Sequence, residues 1–287
     1  MCTTCGCSDG AKATVTDLAT GKTRSLGTHT HDHDHDGHHE HEHDHEHAHD
    51  HHHGHDHSHA HGTTISLEQE VLARNNRLAE RNRGWLEGRN ILALNLVSSP
   101  GAGKTTLLER TIRDLGQTLP VCVLEGDQET VFDAERIRAT GCKTLQINTG
   151  TGCHLEAGML AQALKQLDPP LDSLLMIENV GNLVCPALFD LGEAAKVVIL
   201  SVTEGADKPL KYPHMFRASG LMILNKTDLL PHVDFDVDTC LAYARRINPD
   251  IEVLQLSATT GEGLDDWYAW LRARLGKRMD RSLGVGA

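Results

Sequence analysis

The most restrictive feature of this sequence is a series of short, nearly continuous apolar runs that begins at Ile91. Runs rich in Val, Ile and Leu occur at 91–97, 121–126, 145–148, 173–178, 196–202, 221–225 and 252–257. This composition is typical of strands that are covered on both faces of a sheet. Segments with helical periodicity lie between the runs, at 104–115, 154–167, 236–247 and 262–275. The alternation predicts an α/β fold with a doubly wound, mostly parallel sheet.

The chain before Ile91 has a different composition. Residues 29–61 hold eighteen of the twenty-one histidines, nine carboxylates and no Lys or Arg. Such a segment has too little apolar surface to form a core, so we expect a disordered metal-binding tract. Residues 1–28 are predicted to be a cysteine-rich head and a Thr/Gly-rich linker. Residues 62–90 are predicted to begin the folded domain with a helix, whose partial apolar stripe covers 65–88.

The charge of the chain excludes some functions. The nine acids of the tract account for most of the formal net charge of −13, and the rest of the chain retains about −4 (−13 plus 9). The absence of a net positive charge argues against a general nucleic-acid binder. The N-terminus lacks the apolar stretch of a signal peptide, and no apolar run reaches the roughly 18 residues of a membrane span. We therefore expect a cytoplasmic protein that does not enter a membrane.

A glycine-rich loop follows the first predicted strand. Its sequence, "SSPGAGKTT" at 98–106, fits the phosphate-binding pattern G-x-x-x-x-G-K-[ST] except that Ser98 replaces the first glycine. A chance glycine-rich turn is the alternative, but the predicted strand before the loop and helix after it favour phosphate binding. Lys104 is expected to reach the β- and γ-phosphates, and Thr105 to bind Mg²⁺. The expected phosphate-binding residues are Gly101, Ala102, Gly103, Lys104, Thr105 and Thr106.

The base is specified further along the chain by "NKTD", residues 225–228. The Asp228 carboxylate can accept hydrogen bonds from N1–H and the 2-amino group of guanine, a pair of donors that adenine lacks. Asn225 can support the other edge of the base, and the Lys226 stem can cover its face. The later "SATTGEG" places Ser257 and Ala258 where they would close the pocket. GTP and GDP are the predicted nucleotides, and 91–287 the predicted GTPase domain.

Two acids at strand ends are predicted to complete the catalytic site. Asp127, in "EGD", and Glu178, in "IENVGN", are placed where a carboxylate can hold Mg²⁺ directly or through water. A helix cap or a solvated loop acid is the alternative for each. Gly181 is the predicted γ-phosphate-sensing glycine. Asn182 follows it where a water-orienting Gln would suit fast hydrolysis better, which predicts slow intrinsic turnover.

A second group of residues is suited to a transition metal. Cys153 and His154 adjoin where a loop becomes a helix, and Cys185 lies four residues after Gly181. Thiolate and imidazole are ligands that nickel and zinc prefer, and three ligands leave a position for a fourth donor or for a second chain. Buried cysteines and a hydrogen-bonded histidine are the alternative. The other cysteines of this domain are predicted to be packing residues: Cys122, Cys142 and Cys240.

The N-terminal cysteines form a separate candidate metal site. Cys2 and Cys5 have C-x-x-C spacing, and Cys7 follows, but no βαβ pattern surrounds them to suggest a thioredoxin-like redox site. Cytosolic thiols are kept reduced, so metal binding is favoured over disulfides. The many imidazoles and carboxylates of 29–61 favour metal capacity and buffering over one tight geometry.

Several motifs together resemble one family, the HypB nickel-inserting GTPases of hydrogenase maturation. The motifs are "CTTCGC", "SSPGAGKTT", "NTGTGCHLEA", "IENVGNLVCP", "SVTEGADKPLKYP" and "NKTDLLP". The resemblance implies a P-loop GTPase of the SIMIBI class that dimerises with GTP and accepts nickel. It also implies work with a HypA-like nickel metallochaperone on the hydrogenase large-subunit precursor. Under this resemblance Cys2, Cys5 and Cys7 form a tight nickel site, and Cys153, His154 and Cys185 form a weaker nickel or zinc site.

Two other functions remain open from the sequence. A urease-type nickel GTPase also pairs a P-loop with a His-rich N-terminus, but its Cys-Pro-His motif is not matched, because Ala187 follows Pro186 here. A nickel storage protein with a marginal GTPase role is the second alternative. The histidine tract favours some storage, whereas Lys104, Thr105 and Asp228 favour a retained GTPase function.

Overall fold

A computed structural model of the chain describes residues 13–17, 20–25, 59–127, 136–150 and 152–282. The strands are β1 (Thr14–Asp17), β2 (Lys22–Ser25), β3 (Leu92–Ser98), β4 (Val121–Asp127), β5 (Lys143–Asn148), β6 (Leu174–Glu178), β7 (Ala195–Ser201), β8 (Leu221–Asn225) and β9 (Glu252–Gln255). The main helices are α1 (His59–Gly88), α2 (Lys104–Leu115), α3 (Ala157–Leu167), α4 (Lys208–Lys211), α5 (Pro213–Ala218), α6 (Val237–Ile247) and α7 (Leu264–Ser282). Short 3₁₀ helices, η1 and η2, cover Cys185–Ala187 and Thr227–His232.

The predicted α/β fold is confirmed. In the described residues the strands form one sheet in the order β2-β1-β5-β4-β6-β3-β7-β8-β9. Strands β3 to β9 pair in parallel, and each predicted apolar run overlaps one of them. The exception to parallel pairing is β1, which runs antiparallel to both β2 and β5.

The N-terminal part of the chain differs from the sequence prediction in two places. Residues 1–28 are predicted to be a head and linker, but β1 and β2 form a hairpin that extends the sheet along β5. Helix α1 begins at His59, so it includes the last three residues of the tract predicted to be disordered at 29–61. The rest of that tract, and Cys2, Cys5 and Cys7, lie outside the described residues.

Alternation along β3 explains how both faces of the sheet are covered. Leu92, Leu94 and Leu96 belong to the core under α2 and α7, whereas Ala93 and Val97 pack on the opposite face. Successive side chains of a strand point to opposite faces, so a nearly continuous apolar run contributes to both cores, and the one polar side chain between Leu94 and Leu96, Asn95, is buried with hydrogen bonds. Among the described helices, none is long and apolar enough to span a bilayer.

The parallel strands place their carboxyl ends at one edge of the sheet. The glycine-rich loop follows β3 there, and the segments after β5, β6 and β8 lie at the same edge. Ligands of open α/β sheets bind outside this edge, where the loops meet. The fold therefore brings the predicted phosphate, base and metal residues to one side of the molecule.

Candidate nucleotide and metal sites

The glycine-rich loop has a conformation that requires glycine at two positions. Gly101 and Gly103 have φ angles of 75° and 94°, which lie in the left-handed region. A side chain at Gly103 would also collide with the amide nitrogen of Asn225. Helix α2 begins directly after this glycine, at Lys104, so its free N–H groups and positive dipole end face the loop.

The loop opens into a pocket of about 530 Å³. All six predicted phosphate-binding residues line it, together with the predicted Glu178, Gly181 and Lys226. Eight further lining residues were not assigned to the site from the sequence: Ser98, Ser99, Pro100, Glu125, Gly126, Arg136, Asn179 and Val180. Glu125, which is 2% exposed in the structure, could have been selected from the sequence because it lies two residues before Asp127 in the same strand-end motif. The dimensions and donors of the pocket suit a nucleotide phosphate chain.

Oxygen and nitrogen groups suited to a Mg²⁺–phosphate unit meet in this pocket. The Thr105 hydroxyl donates a 2.8 Å hydrogen bond to Glu178 Oε1, and the Lys104 ammonium lies 3.7 Å from the same oxygen. Parallel pairing of β3 with β6, with Leu96 opposite Glu178, brings these groups together. A hydroxyl and a carboxylate are hard oxygen donors, which fit Mg²⁺. Asp127 ends β4, but its side chain lies outside those described.

The Asn225 side chain joins three loops of the site. It is 1% exposed, and its Nδ2 donates a 2.9 Å hydrogen bond to the Ala102 carbonyl. Its Oδ1 accepts a 3.1 Å hydrogen bond from the Ala258 main chain. Lys226, at a φ of 65°, donates a 2.7 Å bond from Nζ to the Gly101 carbonyl. The predicted base-recognition residues are therefore attached to the phosphate loop.

The Asp228 carboxylate retains unused hydrogen-bonding capacity. Its Oδ1 is buried and accepts no hydrogen bond from the described residues. A buried carboxylate oxygen without a donor costs free energy, so the site suits a ligand that supplies N–H groups. Ser257, which is fully buried, stabilises the adjacent turn because its hydroxyl accepts a 3.1 Å hydrogen bond from the Thr260 main chain.

The three residues predicted to bind a transition metal converge. The ligand atoms of Cys153, His154 and Cys185 all lie within 4.8 Å of one another. Among the described residues, these three form the cluster of His and Cys side chains that could bind a metal ion. Cys153 Sγ lies 3.6 Å from His154 Nδ1. Burial lowers the pKa of His154 to about 4, so the imidazole is neutral at pH 7 and can coordinate. The His154 ring stacks on Phe189 at a centroid distance of 3.9 Å.

The other described cysteines have the environment of packing residues. Burial raises the pKa of Cys122 to about 11, and those of Cys142 and Cys240 to about 12. A thiol must lose its proton to become a strong metal ligand, and these environments oppose that loss.

Helix α1 holds the two segments that carry the metal-type residues. The Asn75 side chain accepts a 2.9 Å hydrogen bond from the Ala157 main chain and donates a 2.7 Å bond to the Asp190 carbonyl. Asn82 donates to the Ala157 and Leu191 carbonyls at 2.9 and 3.0 Å. Both amides are at most 5% exposed. The sequence analysis did not select these two residues, although polar residues on the apolar face of a predicted helix indicate buried hydrogen bonds.

The fold and the loop define a nucleotide-binding protein of the P-loop class. Residues 92–255 match the family described as "CobW/HypB/UreG, nucleotide-binding domain". Because this match covers more than half of the chain and close relatives cover most of it, the chain belongs to the hydrogenase maturation factors of the HypB family.

The relatives are similar over the described domain. Hydrogenase maturation factor HypB of Azotobacter vinelandii is 61% identical over 215 residues, which are 75% of this chain and 71% of that protein. Its counterpart in Escherichia coli K12 is 60% identical over 210 residues, 73% of this chain and 72% of that protein. The crystal structure of the factor from Archaeoglobus fulgidus has a TM-score of 0.66 and 43% identity, covering 71% of this chain and 99% of that one.

A second similar structure is a nickel complex. It is HypB from Helicobacter pylori in complex with nickel, with a TM-score of 0.66 and 37% identity. The match covers 71% of this chain and 96% of that chain.

Proposed function

We propose that this chain is a GTP-hydrolysing nickel metallochaperone, which delivers Ni²⁺ to the hydrogenase large-subunit precursor. The observation that carries the proposal is that one segment serves both sites. Glu178 ends β6 beside Lys104 and Thr105, and the chain then continues to Cys185 in the metal group. A change in the phosphate site therefore has a short covalent route to a metal ligand, which couples nucleotide state to metal release.

GTP hydrolysis is assigned to the residues around the glycine-rich loop. Lys104 and the N–H groups of the loop would hold the β- and γ-phosphates, and Asn225, Lys226, Asp228, Ser257 and Ala258 would hold guanine. Thr105, Glu178 and Asp127 would hold Mg²⁺, which would neutralise charge that develops on the phosphate oxygens. Gly181, beside Pro100, would sense the γ-phosphate. Asn182 uses its amide to bond the Cys153 and Val184 main chains, which supports slow intrinsic turnover.

Nickel is the proposed cargo of Cys153, His154 and Cys185, and Zn²⁺ fits the same ligands. The solved relative from H. pylori, a complex with nickel, supports this assignment. Three ligands leave a position for donors from a second chain, so we propose a GTP-dependent homodimer. Cys2, Cys5 and Cys7 are proposed as a tighter nickel site.

The proposed partners are a HypA-like nickel metallochaperone and the hydrogenase large-subunit precursor, both in the cytoplasm. The family membership supports this setting, since its members are hydrogenase maturation factors. The eighteen histidines of 29–61 add a second role in nickel storage. Deletion of 29–61 should lower nickel capacity and leave GTP turnover intact; a loss of turnover would reject this separation of roles.

The experiment that tests the proposal is equilibrium nickel binding to the full chain and to a Cys2→Ala/Cys5→Ala/Cys7→Ala variant. Each protein is titrated with GDP and with a non-hydrolysable GTP analogue. We expect the variant to lose a tight site and to keep weaker binding that depends on the nucleotide. If nickel binding ignores the nucleotide in both proteins, the coupling is refuted and storage becomes the better function.

A further inference from the structure

Asn179 follows Glu178 and is 1% exposed. Its side chain uses both of its polar atoms. The Oδ1 atom accepts hydrogen bonds from the Leu155 main chain at 3.3 Å and from its own neighbour Val180 at 3.0 Å. The Nδ2 atom donates a 3.1 Å bond to Asn95 Oδ1 in β3. Since Leu155 directly follows His154, the Asn179 side chain holds the loop that carries two of the metal-type residues.

The main chain of Asn179 contacts the phosphate site. Its carbonyl accepts a 2.6 Å hydrogen bond from the Lys104 ammonium. One residue therefore bonds the phosphate-loop lysine with its carbonyl and the metal loop with its side chain.

The polar contacts continue from Asn179 to the second metal segment. Asn95 Nδ2 donates a 3.1 Å hydrogen bond to Glu193 Oε1, and Glu193 Oε2 accepts a 2.7 Å bond from the Leu191 main chain. Leu191 lies two residues after Phe189, on which the His154 ring stacks. Asn95 and Glu193 are at most 6% exposed. A buried polar network is costly to leave half satisfied, so its members tend to rearrange together.

A bound nucleotide competes with the Asn179 carbonyl for Lys104. Hydrogen bonds between an ammonium and a phosphate are roughly twice as strong as bonds between neutral groups. A β- or γ-phosphate therefore draws the ammonium away from the carbonyl. The buried carbonyl then lacks a donor, and rotation of its peptide to find another one moves the side chain that holds Leu155.

We propose that Asn179 is the positioning residue that transmits phosphate occupancy at Lys104 to the metal group, through its hydrogen bond to the Leu155 main chain. This inference rests on the proposed nucleotide-coupled nickel binding and assigns that coupling to one side chain. Asn179 lines the phosphate pocket, but its side chain touches neither the nucleotide nor the metal in this scheme. Its removal should uncouple the sites without abolishing either.

The test uses the full chain with Cys2, Cys5 and Cys7 replaced by serine. In this parent protein, near-ultraviolet thiolate-to-nickel charge-transfer absorption reports the Cys153/Cys185 site, because the histidine tract holds no thiolate. Nickel is supplied from a chelator buffer, so that free Ni²⁺ is fixed whatever the tract binds. The measured quantity is the ratio of nickel dissociation constants with GDP and with a non-hydrolysable GTP analogue.

Three variants separate positioning from folding. Asn179→Ala removes all side-chain bonds, and Asn179→Asp retains an acceptor for Leu155 and Val180. Asn248→Ala is the matched control, because its amide also bonds main-chain groups, of Phe216, Ser219 and Asp250, but none in either site. Thermal unfolding and GDP affinity are measured for each variant.

We expect a ratio of about 5 to 150 in the parent, the usual range for allosteric coupling, and a ratio near one in Asn179→Ala. Asn179→Asp and Asn248→Ala should keep at least half of the parent's coupling free energy. If the parent is coupled and Asn179→Ala keeps its ratio, the role of Asn179 is refuted while the proposed function stands. If Asn179→Ala unfolds, the test depends on Asn179→Asp. A folded Asn179→Asp that loses the coupling, while Asn248→Ala keeps it, would refute the proposed role of the Asn179 side-chain oxygen as an acceptor. A parent ratio near one would refute the proposed coupling itself, and the role of Asn179 with it.

Discussion

The Asn225 side chain donates a 2.9 Å hydrogen bond to the main-chain carbonyl of Ala102, which lies 123 residues earlier in the chain. Its other polar atom accepts a bond from Ala258. The residue expected to support guanine thus also fixes the shape of the phosphate loop. The proposed base site and the proposed phosphate site are therefore connected through one buried amide.

Replacement of Asn225 by alanine should therefore weaken both stability and nucleotide binding. The buried Ala102 carbonyl and Ala258 N–H lose their partner, which should lower the free energy of unfolding by about 2 kcal/mol. GDP affinity should fall by about tenfold, because a loosened loop must be ordered on binding. Denaturant unfolding and titration with a fluorescent GDP analogue measure the two effects. Asn248→Ala should lose stability alone, and equal GDP affinity in both variants would contradict the connection.

Replacement of Asp228 by asparagine should change base selectivity. The buried Oδ1 of Asp228 has no donor among the described residues, and guanine would supply N1–H and N2–H. An asparagine can accept one hydrogen bond but presents an NH₂ group to the other, which suits the 2-oxo group of xanthine. GDP affinity should fall on the order of a hundredfold, the effect of one or two charge-assisted hydrogen bonds.

Competition between GDP and xanthosine diphosphate measures this change. The variant should bind the xanthine nucleotide more tightly than the unmodified protein does. If both proteins retain the same preference for GDP, Asp228 does not read the base.

Phe189 is expected to tune the metal group without supplying a ligand. Its ring stacks on His154 at 3.9 Å and an interplanar angle of 29°, which limits rotation of the imidazole. Phe189→Ala should weaken nickel binding at Cys153, His154 and Cys185 by about tenfold, as loss of a ligand-orienting contact commonly does. The thiolate-to-nickel absorption should persist at saturating metal. Chelator competition in a protein without Cys2, Cys5 and Cys7 gives the affinity.

Leu188→Ala is the control for that measurement, since the Leu188 side chain is 53% exposed and adjoins the same residue. It should bind nickel as the parent protein does. Equal weakening in both variants would assign the effect to the backbone of the segment and not to the ring.

The strands could be predicted from sequence because each one is indicated by the apolar composition of its own segment. β3, β6 and β8 are nearly continuous apolar runs, and such runs have few other ways to bury their side chains. The β1–β2 hairpin could not be predicted in this way. "TVTD" and "KTRS" are short and mostly polar, and β1 is ordered by pairing with β5, which lies far along the chain. Non-local pairing leaves little trace in either segment.

The same division applies to the sites. Lys104 and Asp228 belong to motifs whose residues adjoin in sequence, so their placement in the pocket and beside it could be predicted. Asn179 could not be selected, since its partners Leu155, Lys104 and Asn95 are 24, 75 and 84 residues away. The proposed role of Asn179 depends on its burial and on the meeting of the segments that follow β3, β5 and β6, and both are properties of the fold.

The contact between α7 and α2 gives a prediction for stability and its pH dependence. The Tyr268 hydroxyl donates a 2.7 Å hydrogen bond to Asp114 Oδ2, and Arg110 Nε donates a 2.9 Å bond to the same oxygen. Burial alone would raise the pKa of Asp114, but the hydrogen bonds from Tyr268 and Arg110 outweigh it, so the pKa is lowered. A carboxyl with a lowered folded-state pKa stabilises the fold above its unfolded-state pKa, and that contribution is lost as the pH falls through the folded-state pKa.

Tyr268→Phe should therefore lower the free energy of unfolding by about 1 kcal/mol at pH 7, where Asp114 is ionised. The difference from the unmodified protein should shrink below about pH 4, the ordinary range for Asp, because protonation removes the charged acceptor in both proteins. Urea unfolding at pH 7 and at several lower pH values measures the difference. Tyr243→Phe is the control, since the Tyr243 hydroxyl makes no hydrogen bond within the described chain. This variant should change the free energy of unfolding little at any pH. A Tyr268→Phe deficit that stays constant with pH would mean that the hydroxyl stabilises the fold independently of the charge on Asp114, which would contradict the predicted pH dependence.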